Sequence, residues 1–286
     1  LCKKYDLHPN RSNGQNFLID KNILDKIVVA GELGAEDTIL EIGPGFGVLT
    51  QELVKRAGKV VAVEKDKRLA EFLRKEIKKL RNKEVKGENN LEIVNEDILK
   101  INLAKIDEIP ASAGMTSTYK IISNLPYQIT APVLWRFLHE EKEKPKTMVL
   151  MVQKEVGERI CARPGKMSIL SVLCQLYAEC EIVTTVSRNC FWPAPEVDSV
   201  IIKLEIRNLK LKNIDNNLDY KELMRIVKIG FSAKRKMLKN NLAGGLQVPM
   251  EKVVAALQEV GLDVKIRAQE LRVEDWINLY RNFLVN

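Results

Sequence analysis

Residues 38–47 constrain the fold of this chain more than any other stretch. Thr38-Ile39-Leu40-Glu41-Ile42 has the length and apolar content of a buried strand, and it runs straight into Gly43-Pro44-Gly45-Phe46-Gly47. A helical pattern follows over about Val48 to Ala57, with Leu49, Leu53 and Val54 on one face. A strand that enters a glycine turn and then a helix opens an α/β unit, because glycine lets backbone or ligand approach closely. The pattern then repeats. Val60-Val61-Ala62-Val63 reads as a second strand ending in Glu64-Lys65-Asp66, followed by a basic helix over about Lys67 to Leu80. Leu91-Glu92-Ile93-Val94 reads as a third, ending in Asn95-Glu96-Asp97-Ile98. The fourth, Tyr119-Lys120-Ile121-Ile122, is broken by Ser123-Asn124-Leu125-Pro126-Tyr127. A helix near Thr130 to His139 precedes a fifth, Thr147 to Val152. This alternation predicts a parallel, doubly wound sheet.

Around this frame, residues 1–20 read as a polar, basic, ordered loop in which Asp20 caps a helix carrying Ile23, Leu24, Ile27 and Val28. The stretch from Ala104 to Thr118 lacks periodicity and reads as a loop. Beyond the fifth strand, the pattern predicts a helix near Ser168 to Ala178. It also predicts strands at Glu181 to Ser187 and Asp198 to Ile206, and a rigid aromatic loop, Phe191-Trp192-Pro193-Ala194-Pro195-Glu196-Val197, between them. After Arg207 helical patterns dominate, at Tyr220 to Phe231, Arg235 to Leu242, Met250 to Val260 and Val273 to Phe283. The expected division is a sheet domain over 1–206 and a small all-α domain over 207–286.

Composition narrows the class. No run reaches the roughly 18 apolar residues that span a membrane, and no secretory signal pattern opens the chain. The chain starts Leu1-Cys2 without a methionine, so its natural start is expected upstream. Five cysteines with no Cys-x-x-Cys, and only His8 and His139, point to reduced thiols and a cytoplasmic protein without a metal site. A formal charge of +8 permits a polyanionic partner without requiring one. No oligomerisation signal stands out, so a monomer is the default.

The strand ends carry the chemistry. In open α/β sheets ligands bind beyond the carboxyl ends of the strands. A dinucleotide fingerprint needs its third glycine at position 48, where this chain has Val48. Glu64 can accept from both hydroxyls of a ribose, and Asp97 can accept from an adenine amino group while Ile98 packs on the ring. Gly43, Glu64, Asp97 and Asn124 thus follow one another on consecutive strand ends, an order that fits an adenosine without a diphosphate: S-adenosylmethionine rather than a nicotinamide cofactor. Singly, Glu64 and Asp97 read equally well as solvated loop acids, and Asn124-Leu125-Pro126 as an ordinary turn.

The motifs also carry a family resemblance. Gly14-Gln15-Asn16-Phe17-Leu18, Glu41-Ile42-Gly43-Pro44-Gly45, Val63-Glu64-Lys65-Asp66, Asp97-Ile98 and Asn124-Leu125-Pro126-Tyr127 are joined by the 191–199 loop and Gly230-Phe231-Ser232-Ala233-Lys234-Arg235-Lys236. In this order the chain resembles the ribosomal RNA adenine N6-dimethyltransferases, most closely those of the bacterial small subunit. The resemblance implies a Rossmann-like S-adenosylmethionine-dependent methyltransferase domain. It implies methylation of two adjacent adenines near the 3′ end of small-subunit rRNA, within a pre-30S-type particle. It also implies a cofactor site lined by Asn16, Leu18, Gly43, Gly45, Glu64, Asp97, Ile98 and Asn124, with Gln15 and Lys65 as further contacts. The 104–118 segment departs from the family by its length.

The residues fit that chemistry. An exocyclic adenine amine is a poor nucleophile because its lone pair is delocalised into the ring. Acceptors aimed at its two hydrogens favour a localised lone pair, and the Asn124 side-chain oxygen and the Leu125 carbonyl are the candidates. Tyr127 would stack on the flipped base, with Phe191 closing the other face unless it is a core aromatic. Lys234, Arg235 and Lys236, near Lys228 and Lys239, form the densest basic patch of the second domain, either a phosphate contact or a solvated face. Three alternatives stay open: a large-subunit rRNA methyltransferase of the macrolide-resistance type, a mainly non-catalytic ribosome-assembly factor, and a nicotinamide-dependent dehydrogenase.

Overall fold

The computed structural model describes residues 16–81, 90–103, 106, 119–207 and 218–285. Gln15 and the 104–118 segment, Ile106 apart, lie outside them. Nine strands are described: β1 Phe17–Leu18, β2 Thr38–Ile42, β3 Lys59–Val63, β4 Leu91–Val94, β5 Tyr119–Asn124, β6 Thr147–Gln153, β7 Ala178–Val186, β8 Phe191–Trp192 and β9 Ser199–Ile206. Seven form one sheet in the order β4-β3-β2-β5-β6-β9-β7. The pairs among β4, β3, β2, β5 and β6 are parallel, and β9 runs antiparallel to β6. The chain winds outward from β2 through β3 to β4, then returns to lay β5 on the other side of β2. That reversal is the topological switch point, where the loops leaving β2 and β5 diverge and open a crevice.

The central strands are apolar because both faces are covered. Ile39, Leu40, Val60, Val61, Ile121, Ile122, Val149 and Leu150 are all buried. The polar exceptions are tied. Lys120 on β5 donates from Nζ to the carbonyls of Gly31 (3.1 Å) and Glu32 (2.7 Å) and to Asp37 Oδ2 (2.8 Å). Asp20 caps the helix Lys21–Ala30 as expected, accepting from the N–H groups of Asn22 and Ile23.

Phe17 and Leu18 form a strand and not a loop. β1 pairs antiparallel with β8, Phe17 opposite Trp192 and Leu18 opposite Phe191, and the Ile19 N–H donates to the Cys190 carbonyl at 2.9 Å. Alternation across such a ribbon puts Leu18 and Phe191 on one face and Phe17 and Trp192 on the other.

The chain divides into two compact units, Leu1–Gly157 with Glu181–Ile206, and Glu158–Cys180 with Arg207–Asn286. Residues 158–180 therefore belong with the C-terminal helices, not with the sheet domain to which the cut at 206/207 assigns them. The N–H groups of Gly165 and Met167 both donate to the Gln269 carbonyl, and the Tyr177 ring stacks on Tyr220 at 5.4 Å. These contacts join residues far apart in sequence, so no local pattern reports them.

Within the second unit the helix Tyr220–Gly230 is capped by Asp219, and Trp276 from the helix Val273–Val285 is fully buried. The next helix is Leu238–Leu246, so Lys234, Arg235 and Lys236 lie on an exposed turn before it. The turn is braced from below. Buried Asn241 donates to the carbonyls of Gly230 (2.6 Å) and Ala233 (3.1 Å), and the Lys236 N–H donates to the Ala233 carbonyl.

A Cβ placed on Gly230 would lie 2.3 Å from the Trp276 ring. Helix propensity alone favours alanine over glycine by up to about 1 kcal/mol. The overlap reverses that sign: Gly230→Ala is expected to destabilise the helical unit by about 1–3 kcal/mol. Urea denaturation followed by circular dichroism measures this; a variant as stable as the parent would contradict the close approach.

Candidate active site

At the switch point a cleft of about 400 Å³ opens beyond the ends of β2, β3, β4 and β5. Asn16, Leu18, Gly43, Gly45, Glu64, Lys65, Asp97, Ile98, Asn124, Leu125 and Tyr127 all line it, from five separate stretches of sequence.

Its floor is the glycine turn. Gly43 and Gly45 have φ of +67° and +59°, a region that favours glycine. The Gly45 N–H donates to Glu64 Oε2 at 3.1 Å, while the Asp66 N–H donates to Glu64 Oε1 at 2.8 Å. Glu64 is thereby aimed, yet each carboxylate oxygen has a second lone pair to offer. Burial pushes its pKa up, and the two N–H donors oppose that shift. A Cβ on Gly45 would lie 2.9 Å from the Phe17 ring, which packs on Phe46 at 4.3 Å and forms the neighbouring wall.

Asp97 sits where β4 ends. Its Oδ1 accepts from the Leu99 N–H at 3.0 Å and its Oδ2 pairs with Lys65 Nζ at 3.0 Å. Partial burial pushes its pKa up, but the Leu99 N–H and the Lys65 ammonium outweigh it and hold the carboxyl below the ordinary range. Asp97 is therefore an ionised acceptor at neutral pH.

Asn124 closes the other end. Its Nδ2 donates to the Asn16 carbonyl at 3.3 Å. A carbonyl only accepts, so the contact fixes which way the amide faces and leaves Oδ1 as the acceptor on offer. No described group donates to Oδ1 or to the neighbouring Leu125 carbonyl. Leu125 itself is buried, and its N–H donates to the Met151 carbonyl at 3.3 Å. The Tyr127 hydroxyl bonds Ser199 Oγ at 2.8 Å, and burial raises its pKa, so Tyr127 is a fixed neutral ring.

One expected residue is elsewhere. Phe191 is 3% exposed, packs in the apolar core with Leu18, Ile23 and Ile201, and does not line the cleft. It anchors β1 instead of closing over a base. The exposed aromatic of that loop is Trp192, 48% accessible, on the same face of the ribbon as cleft-lining Phe17. The sequence pointed to the aromatic loop, but which of two adjacent rings faces out depends on the register with β1.

Glu41 belongs to a strand and opens the glycine motif in the sequence, which assigns it no site role. It lines the cleft, is 2% exposed, and its Oε2 has no partner among the described residues. Burial, with Glu64 adding repulsion, pushes its pKa up to about 8. A polar residue inside a five-residue apolar strand was the available signal.

The raised pKa has a direction for stability. Folded Glu41 keeps its proton up to about pH 8, whereas an unfolded glutamate loses it near pH 4.3. The stabilisation is thus complete below about pH 4.3 and is lost as pH rises through about 8. Glu41→Gln is expected to flatten the fall in melting temperature between about pH 5 and 8; an unchanged profile would show that Glu41 does not titrate there.

Comparison with known proteins adds the family. Residues 7–284 match the family described as Ribosomal RNA adenine dimethylase. Proteins named Ribosomal RNA small subunit methyltransferase A are similar along nearly the whole chain. The one from Dehalococcoides mccartyi is 40% identical over 276 residues, 96% of this chain and 89% of its own. The one from Moorella thermoacetica is 38% identical, over 98% and 94%. Among solved structures, a dimethyladenosine transferase from Plasmodium falciparum superposes with a TM-score of 0.76 at 27% identity, covering 94% of this chain and 98% of that one. The 23S rRNA methyltransferase ErmE gives 0.69 at 28%, covering 93% and 99%. With a match that takes in every strand end around the cleft, the chain belongs to the ribosomal RNA adenine dimethylase family and is an S-adenosylmethionine-dependent methyltransferase.

Proposed function

We propose that this protein dimethylates N6 of two adjacent adenines near the 3′ end of small-subunit rRNA. The observation that carries the reading is the pair of unclaimed acceptors at the end of β5, Asn124 Oδ1 and the Leu125 carbonyl. An adenine amino group has two hydrogens, and two acceptors match them. The relatives named for the small subunit are 38–40% identical along nearly the whole chain, which favours that substrate, and of the two solved structures the dimethyladenosine transferase superposes better than the 23S enzyme, 0.76 against 0.69.

The cleft suits the cofactor. Glu64 faces the ribose hydroxyls with spare lone pairs, Asp97 accepts from the adenine amino group, and Ile98 covers the ring. Asn16, Leu18, Gly43, Gly45 and Lys65 complete the site, with Gln15 a further contact outside the described residues. The orphaned Glu41 Oε2 offers a ligand a buried hydrogen-bonding partner, and a positive charge beside it would favour loss of the Glu41 proton. When bound, S-adenosylmethionine supplies an electrophilic methyl group on a good leaving group, so the protein's task is placement and exclusion of water. Asn124 and Leu125 accept from the amine hydrogens, which localises the nitrogen lone pair. Tyr127, held by Ser199, stacks on the flipped base, a contact worth about 1–3 kcal/mol. With Phe191 in the core, we assign the flanking RNA to exposed Trp192.

In the helical unit, Lys234, Arg235 and Lys236 sit on a braced, exposed turn and pair with no acid among the described residues. Such a turn presents charge to phosphates without first having to be ordered. We assign the protein to the cytoplasm, acting as a monomer on immature small subunits; no described helix is long and apolar enough to cross a membrane. A role in subunit assembly accompanies methylation in this reading.

Two measurements separate the parts. Asn124→Ala is expected to lower methyl transfer by at least about a hundredfold while cofactor and RNA affinities change little, whereas Glu64→Ala mainly weakens cofactor binding. Methyl transfer at the parent rate by a folded Asn124→Ala enzyme would sink the acceptor role. Replacing Lys234, Arg235 and Lys236 together by glutamine should reduce the salt dependence of RNA binding by about 2–3 in log–log slope. An unchanged slope would make the turn a solvated face.

A further inference from the structure

The turn that carries Asp97 and Ile98 is held from outside by one buried arginine. Its own bonds are local: the Asp97 carbonyl accepts from the N–H groups of Lys100 (2.8 Å) and Ile101 (3.0 Å), and its side chain caps Leu99. A single turn of this kind leaves later carbonyls without internal donors. Arg136 supplies them. Its Nη2 donates to the Ile101 carbonyl at 2.5 Å, its Nη1 to the Ile98 carbonyl, and its Nε to Glu141 Oε1 at 2.7 Å. The residue is 8% exposed. A guanidinium stays charged when buried, so its burial is tolerated only with its donors placed.

The position of Arg136 in the chain matters equally. Tyr127–Ile129 forms a 3₁₀ turn that passes directly into the helix Thr130–Trp135, and Arg136 opens a π-helical turn, Arg136–Glu140. Such a turn shifts the helical register and re-aims a side chain. Arg136 therefore bolts the continuous segment that begins with Asn124 and Tyr127 to the turn that ends β4.

We infer that Arg136 is a positioning residue for the cofactor's adenine: it fixes the turn so that Asp97 and Ile98 are set to read the base, and it ties that reading to the segment bearing Asn124 and Tyr127. The inference rests on the proposal that Asp97 accepts from the adenine amino group.

The test is selectivity, not activity. S-adenosylhomocysteine and its hypoxanthine analogue differ in that the analogue places a carbonyl where adenine has its amino group. Calorimetric Kd values are measured for both with the parent enzyme, Arg136→Met and Arg136→Lys. The parent should prefer the adenine ligand by about ten- to a hundredfold, as expected for a hydrogen bond to a charged acceptor. Arg136→Met should bring the ratio below about threefold, and Arg136→Lys, whose single ammonium replaces a planar fork, should fall between. A merely structural arginine would weaken both ligands together and leave the ratio at the parent value, which would overturn the inference. If Arg136→Met does not fold, Arg136→Lys decides: a ratio equal to the parent's overturns it. A parent enzyme without preference would instead remove the Asp97 assignment on which the inference stands.

Discussion

The site depends on the close parallel approach of β2 and β5. Ser123 Oγ donates to the Ile42 carbonyl at 2.5 Å, locking the last residue of β2 to the next-to-last of β5. Just beyond, a Cβ on Gly43 would meet the Pro126 ring at 3.4 Å. The two loops that leave this junction have opposite duties. The one after β2 supplies a floor of bare backbone and aims Glu64 through Gly45. The one after β5 supplies side-chain and carbonyl acceptors. Because they start from one locked junction, the proposed cofactor on the first and the proposed base against the second would meet at a distance fixed by the sheet.

The charges follow the same division. Asp97 is ionised and paired with Lys65, Glu64 is buried but bonded by two backbone donors, and Glu41 is buried with an unpartnered oxygen. Glu41 and Glu64 repel each other, which helps to hold Glu41 protonated. A positively charged ligand would supply the partner that Oε2 lacks and would favour the ionised form of Glu41. Around Asn124, Leu125 and Tyr127 the groups on offer are neutral acceptors and a neutral phenol, which would suit the uncharged amine of the proposed substrate.

Much of this was legible because it is local. Apolar runs of strand length, the glycine turn from Gly43 to Gly47, and acids or amides at strand ends are written in consecutive residues, and the parallel sheet follows from their alternation with helices. The features that were not legible all depend on distant partners. The pairing of β1 with β8 sets which of Phe191 and Trp192 is buried. The placement of residues 158–180 follows from bonds to Gln269 and stacking on Tyr220. Arg235 and Lys236 read as the start of a helix, but Asn241 and buried Leu238 make them part of a turn before it. Nothing in the local pattern of the helix near Thr130 to His139 singles out Arg136, because its bonds to Ile98 and Ile101 span more than thirty residues.

The most direct test of the account is to follow label from radiolabelled S-adenosylmethionine into unmethylated small subunits, large subunits and naked rRNA offered separately, then digest each and separate the nucleosides. The account predicts N6,N6-dimethyladenosine from the small subunits, confined to two adjacent positions near the 3′ end of their rRNA. Label in large-subunit rRNA, or cofactor binding without transfer to any of the three, would contradict it.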